Sequence, residues 1–319
     1  MIFGHSAAAR ESAPGFLLEL GEGPAQPRRI RAAGGCGDGE HAPAEPVGHV
    51  SGAEGPPVLV EVAGRLLHEG QPAAQHGPGR PVLALHGAYG RSRTFLRLAD
   101  TLGPRWRIIA VDQRCHGRSD RSDDVSREAF VADAAAVVEQ LGLAPAVVLG
   151  HSLGGINAYQ LAARRPELVA AAVVVDVGAE LAVPDDHSLD DLPDRFPNLQ
   201  SMRTALEPLV EAPEYFLESA VEDDRGWFFR WHAADISEIK RQVRGTWWPD
   251  WTDSSQPVLL LRGADSPVIG PELAERMTCS RANTELVSIA GAGHDAHLTH
   301  YPEFAAAVGD FLDRVGSEV

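Results

Sequence analysis

The chain is 319 residues long, enough for one large domain or two small ones, and its 44% hydrophobic and 23% charged residues are ordinary for a globular protein. A formal net charge of −17 argues against nucleic acid or an anionic membrane surface as partner. Three widely spaced cysteines (Cys36, Cys115, Cys279) form no zinc or redox motif, no run of about 18 apolar residues exists to span a membrane, and the N-terminus lacks the basic and apolar regions of a signal peptide, so a reducing cytoplasm is the expected location.

Residues 1–55 read as a low-complexity, flexible N-terminal extension. Stretches such as Gly34-Gly35-Cys36-Gly37 and Ala42-Pro43-Ala44 hold too few large apolar side chains for a core. One apolar island, 16–20, reads as a short strand or docking segment, and the functional reading of the extension is a lid or partner-binding arm. The pattern then changes. Residues 58–68 read as two strands around a turn at Gly64. Strands follow at 81–85, 106–111, 146–149 and 170–176, with helices at 95–102, 127–141 and 156–165 between them. From 178 to 252 the alternation stops in favour of a helical, acidic and aromatic stretch that holds Trp227, Trp231, Trp247, Trp248 and Trp251, five of the six tryptophans. Strands at 257–261 and 284–289 and helices at 272–277 and 302–315 complete the chain. Near-continuous apolar strands alternating with helices predict an α/β fold, a mostly parallel sheet covered on both faces. The core is then 56–177 plus 253–319, with 178–252 a helical cap over the carboxyl ends of the strands, where open α/β sheets bind ligands.

Gly150-His151-Ser152-Leu153-Gly154 is a G-x-S-x-G motif between a strand and a helix, the context that presents a serine on a strained turn at the end of a sheet. Ser152 is therefore the candidate nucleophile. A serine hydroxyl needs a base with a pKa near neutrality. His294, in Gly291-Ala292-Gly293-His294 just after the strand ending at 289, is the candidate. His297 and His300 read as a polar face of the next turn, and His151 as a packing residue of the elbow. The acid that holds the imidazole is either Asp176, at the end of the strand after the elbow helix, or Asp265, after the strand 257–261. The oxyanion hole needs two backbone N–H groups. Leu153 and Ala88, the latter in the loop His86-Gly87-Ala88-Tyr89-Gly90, are the candidates. His86, Tyr89, Trp227 and Trp231 are the candidate substrate-pocket residues.

With Leu85-His86-Gly87-Ala88, the segment 111–120 (Val-Asp-Gln-Arg-Cys-His-Gly-Arg-Ser-Asp), the elbow and Gly291–His294 in this order, residues 57–317 resemble the α/β-hydrolase fold superfamily. The resemblance implies a Ser-His-acid triad, a helical cap, no cofactor and no metal. Two departures stand out. Cys115 occupies a position usually held by glycine, which reads either as a packing variation or as a thiol near the pocket. Many members carry the acid fourth in a G-x-x-D turn, but Gly263-Ala264-Asp265-Ser266 puts serine there. Others carry it about 24 residues past the nucleophile, as Asp176 is, which favours Asp176 over Asp265. The expected activity is hydrolysis of an ester, lactone or thioester of a small, largely apolar substrate through an acyl-enzyme. Carbon–carbon bond hydrolysis, cofactor-free haloperoxidation on the same triad, and non-catalytic binding of a small ligand are the alternatives. The substrate is the one partner expected, and the sequence leaves the oligomeric state open.

Overall fold

A computed structural model describes residues 28–31, 59–62, 65–66, 79–182, 188–189 and 191–317. The sheet strands in chain order are β1 (Arg28–Arg31), β2 (Leu59–Val62), β3 (Arg65–Leu66), β4 (Arg80–Leu85), β5 (Trp106–Asp112), β6 (Ala146–His151) and β7 (Val169–Val175). Between β7 and the next sheet strand run four short strands, β8 (Glu180–Leu181), β9 (Ala220–Asp223), β10 (Gly226–Phe229) and β11 (Gly245–Thr246). β12 (Val258–Gly263) and β13 (Thr284–Ile289) return to the sheet. Its order is β1-β13-β12-β7-β6-β4-β5-β2-β3. The six strands from β13 to β5 are parallel, and β1, β2 and β3 add antiparallel edges.

The helices are α1 (Leu96–Leu102), α2 (Arg127–Gln140), α3 (Leu153–Arg164), α4 (Leu199–Leu206), α5 (Pro213–Leu217), α6 (Ala233–Gln242), α7 (Trp248–Thr252), α8 (Pro271–Ser280), α9 (Ala296–Thr299) and α10 (Tyr301–Ser317). Because side chains alternate along a strand, each central strand serves two cores. Val82, Ala84, Val147, Leu149, Val173 and Leu261 pack with Leu98 of α1 and Phe304, Val308 and Phe311 of α10. Leu83, Leu85 and Val148 face the other way, against Val131 and Val138 of α2 and Leu161 of α3. This double burial is why these strands read as unbroken apolar runs. Ser126 caps α2, its hydroxyl accepting from the Ala129 N–H at 3.2 Å.

Two expectations change. The stretch 178–252 holds α4 to α7 but is not purely helical. β9 and β10 form an antiparallel hairpin, and β8 pairs with β11. The hairpin turns at Gly226 (φ 113°), a backbone conformation open to glycine, and its second strand is Trp227-Phe228-Phe229, residue types that favour strands. Within 1–55, Arg28–Arg31 is a strand on the β13 edge. The apolar island at 16–20 and the rest of 1–55 lie outside the described residues. Among the described residues no helix is long and apolar enough to cross a membrane.

Candidate active site

β6 ends at His151, and Ser152 follows at φ 53°, ψ −115°, in the left-handed half of backbone space that a side-chain-bearing residue rarely occupies. The chain holds this turn by tight approach. A Cβ on Gly150 would lie 2.0 Å from the Gly154 carbonyl oxygen, and one on Gly154 would lie 2.0 Å from that of Leu85. Only glycine fits either position. The Ser152 N–H donates to the Val175 carbonyl at 2.9 Å, and its own carbonyl accepts from the N–H groups of Gly155 and Ile156. Leu153 opens α3, in the turn whose N–H groups have no partner within the helix and carry the positive end of its dipole.

The register pairs His151 with Val175, so Ser152 and Asp176 leave neighbouring strands at the same level. Asp176 also has a positive φ, 53°, and is fully buried. Its carboxylate is held from three sides. Oδ1 accepts from the Gly263 N–H at 2.9 Å. Oδ2 accepts from the Ser266 hydroxyl and from His294 Nδ1, the latter at 2.7 Å. An Nδ1–H donated to a carboxylate leaves Nε2 as the lone-pair nitrogen of the neutral ring. Burial pulls the His294 pKa down, but the hydrogen bond and charge of Asp176, with the charges of Asp295 and Glu211, outweigh it and leave the pKa above its ordinary value. Asp265 is exposed, and its backbone N–H donates to the Ala292 carbonyl. Of the two candidate acids, Asp176 is the one hydrogen-bonded to the imidazole.

His86, read as a pocket residue, is fully buried and ties two loops together. Its Nε2 accepts from the Gln113 N–H at 3.0 Å, so Nδ1 carries the proton and donates to the Gly87 carbonyl at 2.7 Å. Ala88 lies in this loop, half-buried. The Asp112 carboxylate accepts from the N–H groups of Ser92 and Arg118, clamping the same region from β5. Cys115 sits at φ 65°, which explains the usual glycine at this position. It packs with Val125 and Phe130 in the core, 2% exposed, and burial pushes its thiol pKa up. Of the two readings of Cys115, the packing variation is the one that this burial supports.

Tyr89 and Trp231 do come together, with ring centroids 5.0 Å apart. Phe216 is 5.2 Å from Tyr89, and Phe229 stacks on Trp231 at 4.7 Å. Trp227 is half-buried on β10, its backbone paired with Phe196. The insert also reaches the loop after β4 through the Ser219 hydroxyl, which donates to the Tyr89 carbonyl.

His297 is corrected. It is 3% exposed and packs against His151, Tyr215 and Phe95 rather than forming a polar face. His300 is half-buried beside the Thr299 hydroxyl. Ser266 and Tyr215 had no role in the sequence reading. Ser266 was legible as the residue standing fourth where an acid is usual; Tyr215, inside an aromatic stretch, gave no distinct sign.

Known proteins share this architecture. The sequence profile described as "Alpha/beta hydrolase family" matches residues 82–307. The chain is 29% identical over 247 residues to the sn-1-specific diacylglycerol lipase ABHD11 of Mus musculus, covering 72% of this chain and 80% of that protein. It is 27% identical to the 2-(acetamidomethylene)succinate hydrolase of Mesorhizobium japonicum, covering 75% and 90%. A crystal structure of an E-2-(acetamidomethylene)succinate hydrolase superposes with a TM-score of 0.66 at 26% identity, over 74% of this chain and 92% of that one.

Proposed function

The chain belongs to the alpha/beta hydrolase family, and we propose that within it this enzyme is a serine hydrolase that cleaves an ester, lactone or thioester of a small, largely apolar substrate. One observation carries the reading. His294 Nδ1 meets a fully buried, three-fold hydrogen-bonded Asp176 at 2.7 Å, and Asp176 leaves β7 at the level of the strained elbow at Ser152. That arrangement fixes one imidazole tautomer, the requirement for a general base acting on a serine hydroxyl.

In the proposed reaction, His294 Nε2 takes the Ser152 hydroxyl proton as the oxygen attacks the substrate carbonyl. The tetrahedral oxyanion accepts hydrogen bonds from the Leu153 and Ala88 N–H groups, aided by the dipole of α3. The imidazolium, steadied by Asp176, returns its proton to the leaving oxygen or sulfur as the carbon–heteroatom bond breaks. Water repeats these steps on the acyl-enzyme, releasing the acid and restoring Ser152. The insert 178–252 acts as the cap. The aromatic group Tyr89, Phe216, Phe229 and Trp231 supports an apolar substrate. The named relatives act on a diacylglycerol and on 2-(acetamidomethylene)succinate, and the aromatics favour the apolar end of that range.

The test is intact-protein mass after brief exposure to a fluorophosphonate, with Ser152→Ala in parallel. One adduct on the wild type and none on the variant is expected. No adduct on folded wild-type protein overturns the reading and favours a ligand-binding role. An adduct should be followed by a panel of esters, lactones and thioesters beside a carbon–carbon-cleavable diketone.

A further inference from the structure

Beside His294 lies a second group of side chains that the proposed reaction does not use. His151 is 1% exposed, His297 3% and Tyr215 4%. The two imidazoles have ring centroids 4.3 Å apart, and the Tyr215 ring stands edge-on to both, at 5.6 and 5.8 Å. Asp295 completes the group. One ring nitrogen from each histidine and one Asp295 carboxylate oxygen all lie within 4.8 Å of one another.

The group is short of hydrogen bonds. His151 Nδ1, both ring nitrogens of His297 and Asp295 Oδ1 are buried without a hydrogen bond, although Asp295 Oδ1 lies 3.7 Å from His151 Nε2. More than nine in ten buried polar groups in proteins are paired, so four such atoms in one place mark an unmet demand.

Two imidazoles and a carboxylate, with no thiolate among them, are a donor set for zinc or a similar divalent transition metal, in the three-ligand form that leaves a fourth position open. Ligand atoms at about 2.1 Å from a tetrahedral ion stand about 3.4 Å apart. The group must therefore draw in by up to about 1.4 Å. Neither ring nitrogen of His297 is hydrogen-bonded. His151 Nε2 makes a 3.2 Å contact with the His294 carbonyl and lies 3.7 Å from Asp295 Oδ1.

We propose that His151, Asp295 and His297 form a binding site for a divalent transition-metal cation of the zinc type, with Tyr215 or water in the fourth position. His151 and Asp295 are the chain neighbours of Ser152 and His294, so filling the site constrains both. Slower hydrolysis with zinc bound follows, and that consequence rests on the serine hydrolase reading. The site itself does not.

The experiment uses the full chain, stripped with a chelator, then dialysed against zinc and, separately, cobalt(II). One zinc per chain is expected on both wild type and Ser152→Ala, with the cobalt form showing the visible d–d bands of a low-coordinate nitrogen and oxygen site. His297→Gln and Asp295→Asn should each weaken zinc binding by more than about 100-fold, beyond the range of an outer-shell partner. Absence of zinc binding or of the cobalt bands in the wild type overturns the proposal. So does zinc binding that survives both substitutions at unchanged affinity, which would place the ion on the surface. If a variant fails to fold by circular dichroism, the wild-type cobalt spectrum still decides.

Discussion

Two buried carboxylates act on His294, and they differ in what surrounds them. Asp176 is met by a backbone N–H, a serine hydroxyl and the imidazole. Asp295, the next residue after His294, has Oδ1 without a hydrogen bond, 3.7 Å from His151 Nε2, and burial pushes its pKa up to about 6. A carboxylate whose lone pairs are filled by fixed donors stays ionised in one orientation and can hold a ring in register. One with an oxygen that accepts no hydrogen bond is fixed less firmly and sets no register for a ring. Proximity alone does not decide which acid serves the base; the donors behind the acid do.

Four experiments press on this difference. Asp176→Asn should cost about 10⁴-fold in kcat, by analogy with the serine protease aspartate, while the exposed Asp265→Asn stays within about twofold. Comparable losses in both would break the assignment. Ser266→Ala removes a hydrogen bond to a charged group. It should lower unfolding free energy by about 1.5–3 kcal/mol, and steady-state assays should show a loss in kcat/KM of about tenfold.

The pH profile sharpens the comparison further. As the proposed base, His294 must be neutral to act, and its pKa is raised. With chelator present, kcat/KM should therefore be full at alkaline pH and fall on acidification, with a midpoint above the ordinary 6.5. Asp295→Asn removes one of the charges that raise it, so the midpoint should move down with little change in the alkaline plateau. An unmoved midpoint would mean that Asp295 does not reach the base.

The smallest effect concerns stability. Burial lowers the pKa of His86, and that of His116 to about 3. The unfolded chain protonates these rings near 6.5 while the folded one keeps them neutral. Their contribution is complete above 6.5 and is lost as pH falls toward the folded values. Urea midpoints should decline progressively below pH 6.5, and His116→Gln should flatten that decline.

Much of this was legible in the chain, for reasons that differ by element. β7 was plain because a strand buried on both faces reads as an apolar run. Ser152 was plain because its turn admits only glycine at 150 and 154. The β9–β10 hairpin was not, since its short aromatic run has no period that separates strand from helix. His297 was hidden because a histidine in sequence carries no mark of burial. Ser266 had been noticed as a departure from a common pattern, and only the fold shows that this departure supplies a donor to the relocated carboxylate.

The strand Arg28–Arg31 bears on how the protein lives among other chains. β13 would otherwise end the parallel array with a row of open backbone donors and acceptors, a template on which a second molecule can grow. The protein covers that row with its own N-terminal segment, and three of the four covering residues are arginine. Removing Arg28–Arg31 would uncover that row on β13.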